Sequence, residues 1–422
     1  MKILVITDSL WREDNNVGNS YSNIFGGIKD IELYNISCQQ GKSSNTIVKS
    51  CYQISEKSII KSFFGGKSGF IEKEISINED NNIRNSSLPR FQILFWVREL
   101  IWLTSKWKTK ELRDYICNIS PDLIFLQLAD KIYLNRLGLY VKKVCQCPMV
   151  AYSWDDIYTL KQFSLSPLFW IDRFYKRKSL RKVIKQCEKL YTISNIQRIE
   201  YNKIFKKDCK LLFKGYDFDE NIEFLDKPMF DSINFLYTGN IGDNRWKNLL
   251  LLAKQIESIN NDKIKLMLDI YTASPMTKKI KTSFGKFKYT KLHGKVSKKK
   301  VVELQSSADI LVHVEPFDIK GMLKSRLSFS TKLVDYFYQH KCIFAIGDIR
   351  SASINYLMMN DSAFVAKNKE EIKNYLIEIK NNPKILNIYA KKAYETGIKN
   401  HNIKNIQKDL SSDFDLIIGD IR

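Results

Sequence analysis

Residues 313–337 read HVEPFDIKGMLKSRLSFSTKLVDYF, and this stretch decides the fold. An apolar strand over Asp309–Val314 stops at Glu315, a long glycine-containing loop follows, and a helix is expected over Thr331–His340. Strand end, loop and helix start, in that order, build the usual anion site of an open α/β sheet, because the helix presents amide groups and its positive dipole end to that crevice. Ser330 and Thr331 bring hydroxyls to the helix start. Lys332 and Asp335 lie three residues apart and face the same way, a cation for a phosphate and a carboxylate for a ribose. The same residues also allow a plainer reading, a helix capped by Ser330 with a solvated Lys332–Asp335 pair.

The pattern repeats on either side. Downstream come a strand over Cys342–Ile346, a helix over Ser351–Met358, and helices from Lys369 with a break at Asn381–Pro383. Upstream lie a helix over Lys298–Ser307, strands at Leu266–Tyr271 and Phe235–Thr238, and a helix whose Leu249, Leu252, Ile256 and Ile259 share one face. Nearer the start, Ile3–Ile6 reads as a buried strand followed by a polar loop over Thr7–Ser22. Leu123–Leu126, Met149–Ala151 and Lys189–Ser194 read as further strands between helical stretches. Alternation of this kind predicts α/β architecture with mainly parallel sheets in two Rossmann-like domains, over 1–226 and 227–395, with a helical segment 396–422 packing back on the first.

Composition narrows the function. The chain has 422 residues, 44% of them hydrophobic, which is enough for substantial cores. Its formal charge of +22 attracts phosphorylated ligands, anionic lipid or nucleic acid. The 8 cysteines are scattered without a Cys-x-x-Cys pair, which fits a reduced, cytoplasmic compartment and speaks against a zinc site. Histidines 293, 313, 340 and 401 form no triad-like or metal-binding motif, so hydrolytic nucleophile and zinc chemistry find no support. Residues 65–69, GGKSG, lack the earlier glycine of a phosphate loop, because position 61 is Lys61. A nicotinamide dehydrogenase lacks its glycine fingerprint after the first strand.

Three further segments carry candidate contacts. In YTGNIGDNRWKNLL, a strand turns at Gly239 and Arg245 stands at the next helix start, where a positive charge is unfavourable unless an anion is present. Its forked donors suit a diphosphate, with Lys247 or Lys332 as additional cations; the other reading is a solvated surface arginine. In AYSWDDIY, Asp155 and Asp156 follow a strand, where a carboxylate orients an acceptor hydroxyl or takes its proton, or else forms an acid pair at a helix start.

On these segments the chain resembles the retaining GT-B glycosyltransferases of family 4. The resemblance implies two Rossmann-like domains with parallel sheets facing a central cleft, and transfer of a sugar from a nucleotide-sugar donor with retained configuration. It makes Glu315 the acid at the transferred sugar, Asp335 the acid at the ribose, and Arg245 the basic residue against the donor diphosphate. The loop LHGKVS resembles the family's base-contacting loop, giving Gly294, Lys295 and Val296 as candidates. The polar run DSLWREDNNVGNSYSNIF occupies the acceptor side, giving Gly18, Asn19 and Ser20. Three departures stand out: Glu315 and Asp335 are 20 residues apart, wider than in the family; the second acid is Asp; and Asn240 stands where relatives carry an arginine. No metal and no cofactor is expected if these cations neutralise the leaving diphosphate. The implied acceptor is a lipid-linked saccharide in bacterial surface polysaccharide assembly. Alternatives are a nucleotide-sugar epimerase on the same fold and a non-catalytic sugar-nucleotide scaffold.

Two segments bear on a surface partner. Arg173–Lys185 holds 7 basic residues and no acid, with Ile171, Phe174, Val183 and Ile184 available as an apolar side. FWVRELIWLTSKWK, residues 95–108, adds tryptophans flanked by cations. Together they predict peripheral docking on an anionic membrane at its cytoplasmic face, or else buried helices of the first domain. The longest apolar-rich run, Phe91–Leu103, is too short and too charged to span a bilayer. The 10 lysines of residues 278–300 accompany no nucleic-acid motif, and no nucleic-acid partner is expected.

Overall fold

The computed structural model describes residues 1–13, 15–72, 92–220, 222, 224, 231–260 and 264–420. It divides into two compact units, one of Met1–Leu160, Ser164–Lys214 and Ile403–Arg422, the other of Lys161–Phe163 and Gly215–Asn402. The boundary expected near Asp226 lies outside the described residues, as do Asp14 and Phe91 of the runs quoted above.

The first unit is built on strands β1 (Lys2–Thr7), β2 (Glu32–Ser37), β3 (Val48–Ile54), β4 (Gly69–Ile71), β5 (Leu123–Gln127), β6 (Met149–Ser153), β7 (Lys189–Thr192) and β8 (Cys209–Leu211). They form one sheet in the order β4-β3-β2-β1-β5-β6-β7-β8, with only the β3–β4 pair antiparallel. Central strands are apolar along their whole length, Leu123–Phe125 and Ile3–Ile6 being fully buried, as parallel strands covered on both faces must be. Strand order reverses between β1 and β5, and ligands of such sheets bind beyond the strand ends at that point.

The final helix, Ile403–Gly419, belongs to this unit and buries Leu410, Phe414 and Ile417. Its Asp413 carboxylate accepts from Lys189 Nζ at 3.1 Å and from Tyr191 Oη at 3.2 Å, and also pairs with Lys210. Gln407 Nε2 donates to the Asn23 carbonyl at 2.9 Å. Burial pushes the Asp413 carboxyl pKa up, but Lys210 and Lys189 outweigh it and hold the net value below the ordinary one.

The second unit carries β9 (Ser232–Thr238), β10 (Lys265–Tyr271), β11 (Thr290–His293), β12 (Ile310–Val314), β13 (Cys342–Ile346) and β14 (Phe364–Ala366). Their order is β11-β10-β9-β12-β13-β14, the doubly wound arrangement of nucleotide-binding sheets, and the named pairs are parallel. The order reverses between β9 and β12. The helix Arg245–Ile259 packs Leu249, Leu252 and Ile256 into the core against Phe235 and Leu268, with Ile259 partly buried at its end.

Two stretches read as loops contain helices. Asn16–Phe25 is helical because the Asn15 side chain accepts from the Gly18 amide at 2.7 Å. Ile319–Ser325 is a short helix started by Asp318, whose carboxylate accepts from the Gly321 amide at 3.1 Å. In both cases the polar residue that suggested a loop is the cap.

Asp413→Ala leaves Lys189 and Tyr191 without their acceptor. It is expected to lower the stability of the first unit by about 1–3 kcal/mol, read from the urea midpoint. Because the Asp413 pKa is depressed on folding, its contribution is present above the ordinary carboxylate pKa and is lost as pH falls through the folded value, so wild type and variant converge in acid.

Candidate functional site

The carboxyl ends of β9 and β12 bring together residues far apart in sequence. β9 ends at Thr238 and the chain turns at Gly239, whose φ of +151° lies in the region that favours glycine. A Cβ there would sit 2.2 Å from Lys332 Nζ. The Lys332 ammonium donates to the Thr238 carbonyl at 3.2 Å and lies 5.0 Å from the centre of the Tyr237 ring. Arg245, first residue of its helix, donates from Nη2 to Glu315 Oε2 at 2.9 Å. Glu315 follows β12 directly and is buried, with His313 Nε2 3.5 Å from its other oxygen. The Asn248 amide donates to the Glu315 carbonyl and fixes the backbone there.

The loop between Gly239 and Arg245 is shaped by its own polar groups. Asn240 Oδ1 accepts from the Gly242 amide at 2.6 Å and Ser274 Oγ at 2.9 Å, while its carbonyl accepts from Tyr237 Oη at 2.6 Å. Asp243 and Asn244 are left-handed at φ 50° and 64°. Asn244 Nδ2 reaches Asp318 Oδ2 at 3.0 Å, and Lys324 reaches Asp243 at 2.8 Å. The helix read as a loop, Ile319–Ser325, thus braces the turn that delivers Arg245.

Burial sets the charge states at this point. Burial pushes the Lys332 pKa down to about 8, with the Arg245 charge adding to the shift. Burial, then Lys332 and Arg245, hold His313 well below its ordinary value, so its imidazole is neutral at neutral pH. Burial raises the Glu315 pKa, opposed by Arg245. Arg245 also lies 3.8 Å from Asp243, which Lys324 reaches in turn, so carboxylates offset part of the positive charge here, and an added anion would stabilise Lys332 in its charged form.

Other expected donor residues fall at differing distances from this cluster. Asp335 is one turn along the helix Lys332–Tyr338, accepting from Tyr216 Oη at 2.8 Å, and Tyr216 stacks on Tyr338 at 4.5 Å. Ser330 does not cap that helix: the cap position is Thr331, without a side-chain cap bond, and the Ser330 amide donates to Ser353 Oγ at 2.9 Å. Lys247 points to solvent on the helix that begins with Arg245. Gly294, Lys295 and Val296 lie on the open loop after β11, beside His293 stacked on Tyr271 at 4.2 Å.

In the first unit, Asp155 is exposed, and its carbonyl accepts from Gln197 Nε2 at 2.9 Å. Asp156 is buried and starts no helix. Its carboxylate accepts from the Thr159 amide at 2.8 Å and pairs with Arg173 at 3.3 Å, closing a turn. Gly18 lies in the first turn of its helix, where a Cβ would meet the Arg12 carbonyl at 2.1 Å; Asn19 is half-buried and Ser20 buried.

Several partners of these residues carry no motif in the sequence. His313 stands two residues before Glu315, the strand spacing that places side chains on one face. Asp8 is the first residue after β1, as Glu315 is after β12. Its amide donates to Gln127 Oε1 at 3.0 Å across the β1–β5 reversal, and its carboxylate holds Lys131 and Tyr133, with Arg98 at 3.8 Å.

Gly239→Ala is expected to destabilise the second unit by about 1–3 kcal/mol through its positive φ. Gly294→Ala, with nothing within 4 Å of the added Cβ, should change stability by less than about 0.5 kcal/mol. Chemical denaturation of both variants checks the contrast.

No family model matches the chain, and no curated protein matches it. Solved structures do. HepE from Anabaena, solved with UDP and glucose, aligns with a TM-score of 0.60 at 12% identity over 98% of this chain and 99% of that one. Sucrose-phosphate synthase from Thermosynechococcus elongatus gives 0.63 at 11% identity over 99% of each chain. A glycosyltransferase from Rickettsia africae gives 0.59 at 13% identity over 99% and 98%. In fold, the chain is an α/β protein of the GT-B type, with two Rossmann-like units like those of these glycosyltransferases.

Proposed function

We propose that the protein is a glycosyltransferase that uses a nucleoside diphosphate sugar. The observation that carries this reading is the meeting of Arg245, Lys332 and Glu315 with the Gly239 turn where β9 and β12 diverge. Structural neighbours with UDP or UDP-glucose bound support the same class of donor.

Arg245 and Lys332 neutralise the diphosphate as the bond from the anomeric carbon to its oxygen breaks. The acceptor oxygen then bonds to that carbon, and its proton passes to the departing phosphate or to a nearby base. Retained configuration, with attack on the face of departure, follows from the family resemblance. Glu315 stands toward the transferred sugar and orients Arg245, and Asp335 with Tyr216 stands toward the ribose. Lys247 and the Thr331 hydroxyl lie further out toward the donor, and Gly294, Lys295 and Val296 flank the base. Positive side chains take the role a metal would otherwise have. On the acceptor side, Asp155 and the Gly18–Ser20 turn belong to the first unit. Asp156, engaged by Thr159 and Arg173, shapes that region. A lipid-linked saccharide in bacterial surface polysaccharide assembly, met at the cytoplasmic face of the membrane, is the acceptor this reading assigns.

Calorimetric titration with UDP-, GDP- and CMP-sugars tests the donor site. One donor class should bind, and Lys332→Met should weaken it roughly 10- to 100-fold, the worth of a lost charged hydrogen bond. Wild-type affinity should fall as pH rises above about 8, where Lys332 loses its proton, and the variant should lack that fall. Failure of every nucleotide sugar to bind, or binding indifferent to Lys332, overturns the reading. Release of free nucleotide only when a saccharide acceptor is present separates transfer from epimerisation.

A further inference from the structure

The helix Pro167–Lys185 of the first unit is inside-out over its first half. Facing inward there are Asp172, Arg173 and Lys176, all buried. Arg173 donates to the Thr159 carbonyl at 2.8 Å and pairs with Asp156, and Lys176 pairs with Asp172 at 2.8 Å. The outward side carries Leu168, Ile171, Phe174 and Tyr175, between 46% and 64% exposed. Over the second half the order is normal, with Leu180, Val183 and Ile184 buried.

One stripe runs the length of the exposed face. Residues 168, 171, 175, 178, 182 and 185 are spaced three and four apart and so lie in line. Leu168, Ile171 and Tyr175 make its first part apolar; Lys178, Lys182 and Lys185 make the rest cationic, with no acid anywhere on it. The apolar end is continued by a second helix, Gln92–Thr104, tied to the first where Trp96 Nε1 donates to Asp172 at 3.2 Å. That helix also turns Ile93, Leu94, Val97 and Leu100 outward, between 48% and 67% exposed. The other tryptophans of the segment are interior: Trp102 stacks on Tyr133 at 4.8 Å, and Trp107 is buried beside it. The apolar side read from sequence is therefore corrected. Val183 and Ile184 face the core and Arg173 a buried carboxylate, while Ile171 and Phe174 face out.

We infer that this face docks on an anionic lipid bilayer. A patch of large apolar side chains on a monomer marks something other than water as its surroundings. Its continuation into a lysine stripe matches the step from acyl chains to anionic headgroups, and the surplus of +22 charges works in the same direction. No helix among the described residues is long and apolar enough to cross a membrane, so the helix lies in the interface. The inference stands on the first unit alone and does not depend on the donor chemistry proposed for the second.

Flotation of the full-length protein with vesicles tests it. The protein should float with phosphatidylglycerol–phosphatidylcholine vesicles and far less with phosphatidylcholine alone. Combined Lys178→Ser, Lys182→Ser and Lys185→Ser should lower partitioning roughly 150-fold at low salt, at about fivefold per lysine. Ile171→Ser with Phe174→Ser should abolish flotation. Both variants alter exposed side chains, so an unchanged melting temperature and unchanged nucleotide-sugar affinity are the expected controls. Absence of flotation, or flotation indifferent to both variants, overturns the inference. So does concentration-dependent dimerisation in light scattering that Ile171→Ser with Phe174→Ser removes, since the face would then join two copies.

Discussion

The arrangement in the second unit turns on one ion pair, Arg245 with Glu315. A buried carboxylate needs a partner, and breaking such a pair is far costlier than forming it is rewarding. That constraint fixes the end of β12 relative to the helix Arg245–Ile259, and with it the turn from Gly239. It leaves Lys332 confined between Gly239 and Tyr237, close to a second cation and with its own proton weakly held. On the proposed reading, a diphosphate here would meet the charges of Arg245 and Lys332 beside the neutral His313 imidazole.

Lys332 sets this cluster apart from the ion pairs elsewhere, because its ammonium contacts a carbonyl and a ring face. In the first unit, Asp8 is held by Lys131, Tyr133 and Arg98, and Arg98 in turn by Glu56, so opposite charges are matched and the Asp8 carboxyl stays ionised. Asp413 pairs with Lys189 and Lys210, and Lys189 also lies 3.8 Å from Asp208. Those networks hold elements together. At β9 and β12, Lys332 instead contacts a carbonyl and a ring face.

Much of this was legible from sequence. Continuous apolar runs between helical stretches marked the parallel strands, because covering both faces of a sheet demands such runs. Gly239, Arg245, Glu315 and Lys332 each stood at a strand end or helix start, where chemistry collects in this architecture. Strand order was not legible, since local patterns carry no information on which strands neighbour each other. Asn15 and Asp318 read as loop residues because the same side chains favour turns and caps. The helix Pro167–Lys185 was misread in detail for a related reason. Buried ion partners such as Asp156 and Asp172 override the rule that charge faces out, and only the fold shows which face is inside.

Hydrogen exchange in the presence and absence of UDP addresses the central claim most directly. If the diphosphate binds where β9 and β12 diverge, added UDP should slow exchange at the amides of residues 239–246 and 330–335, leaving the first unit unchanged. Slowing confined to other segments, or none at saturating UDP and GDP alike, would contradict the account.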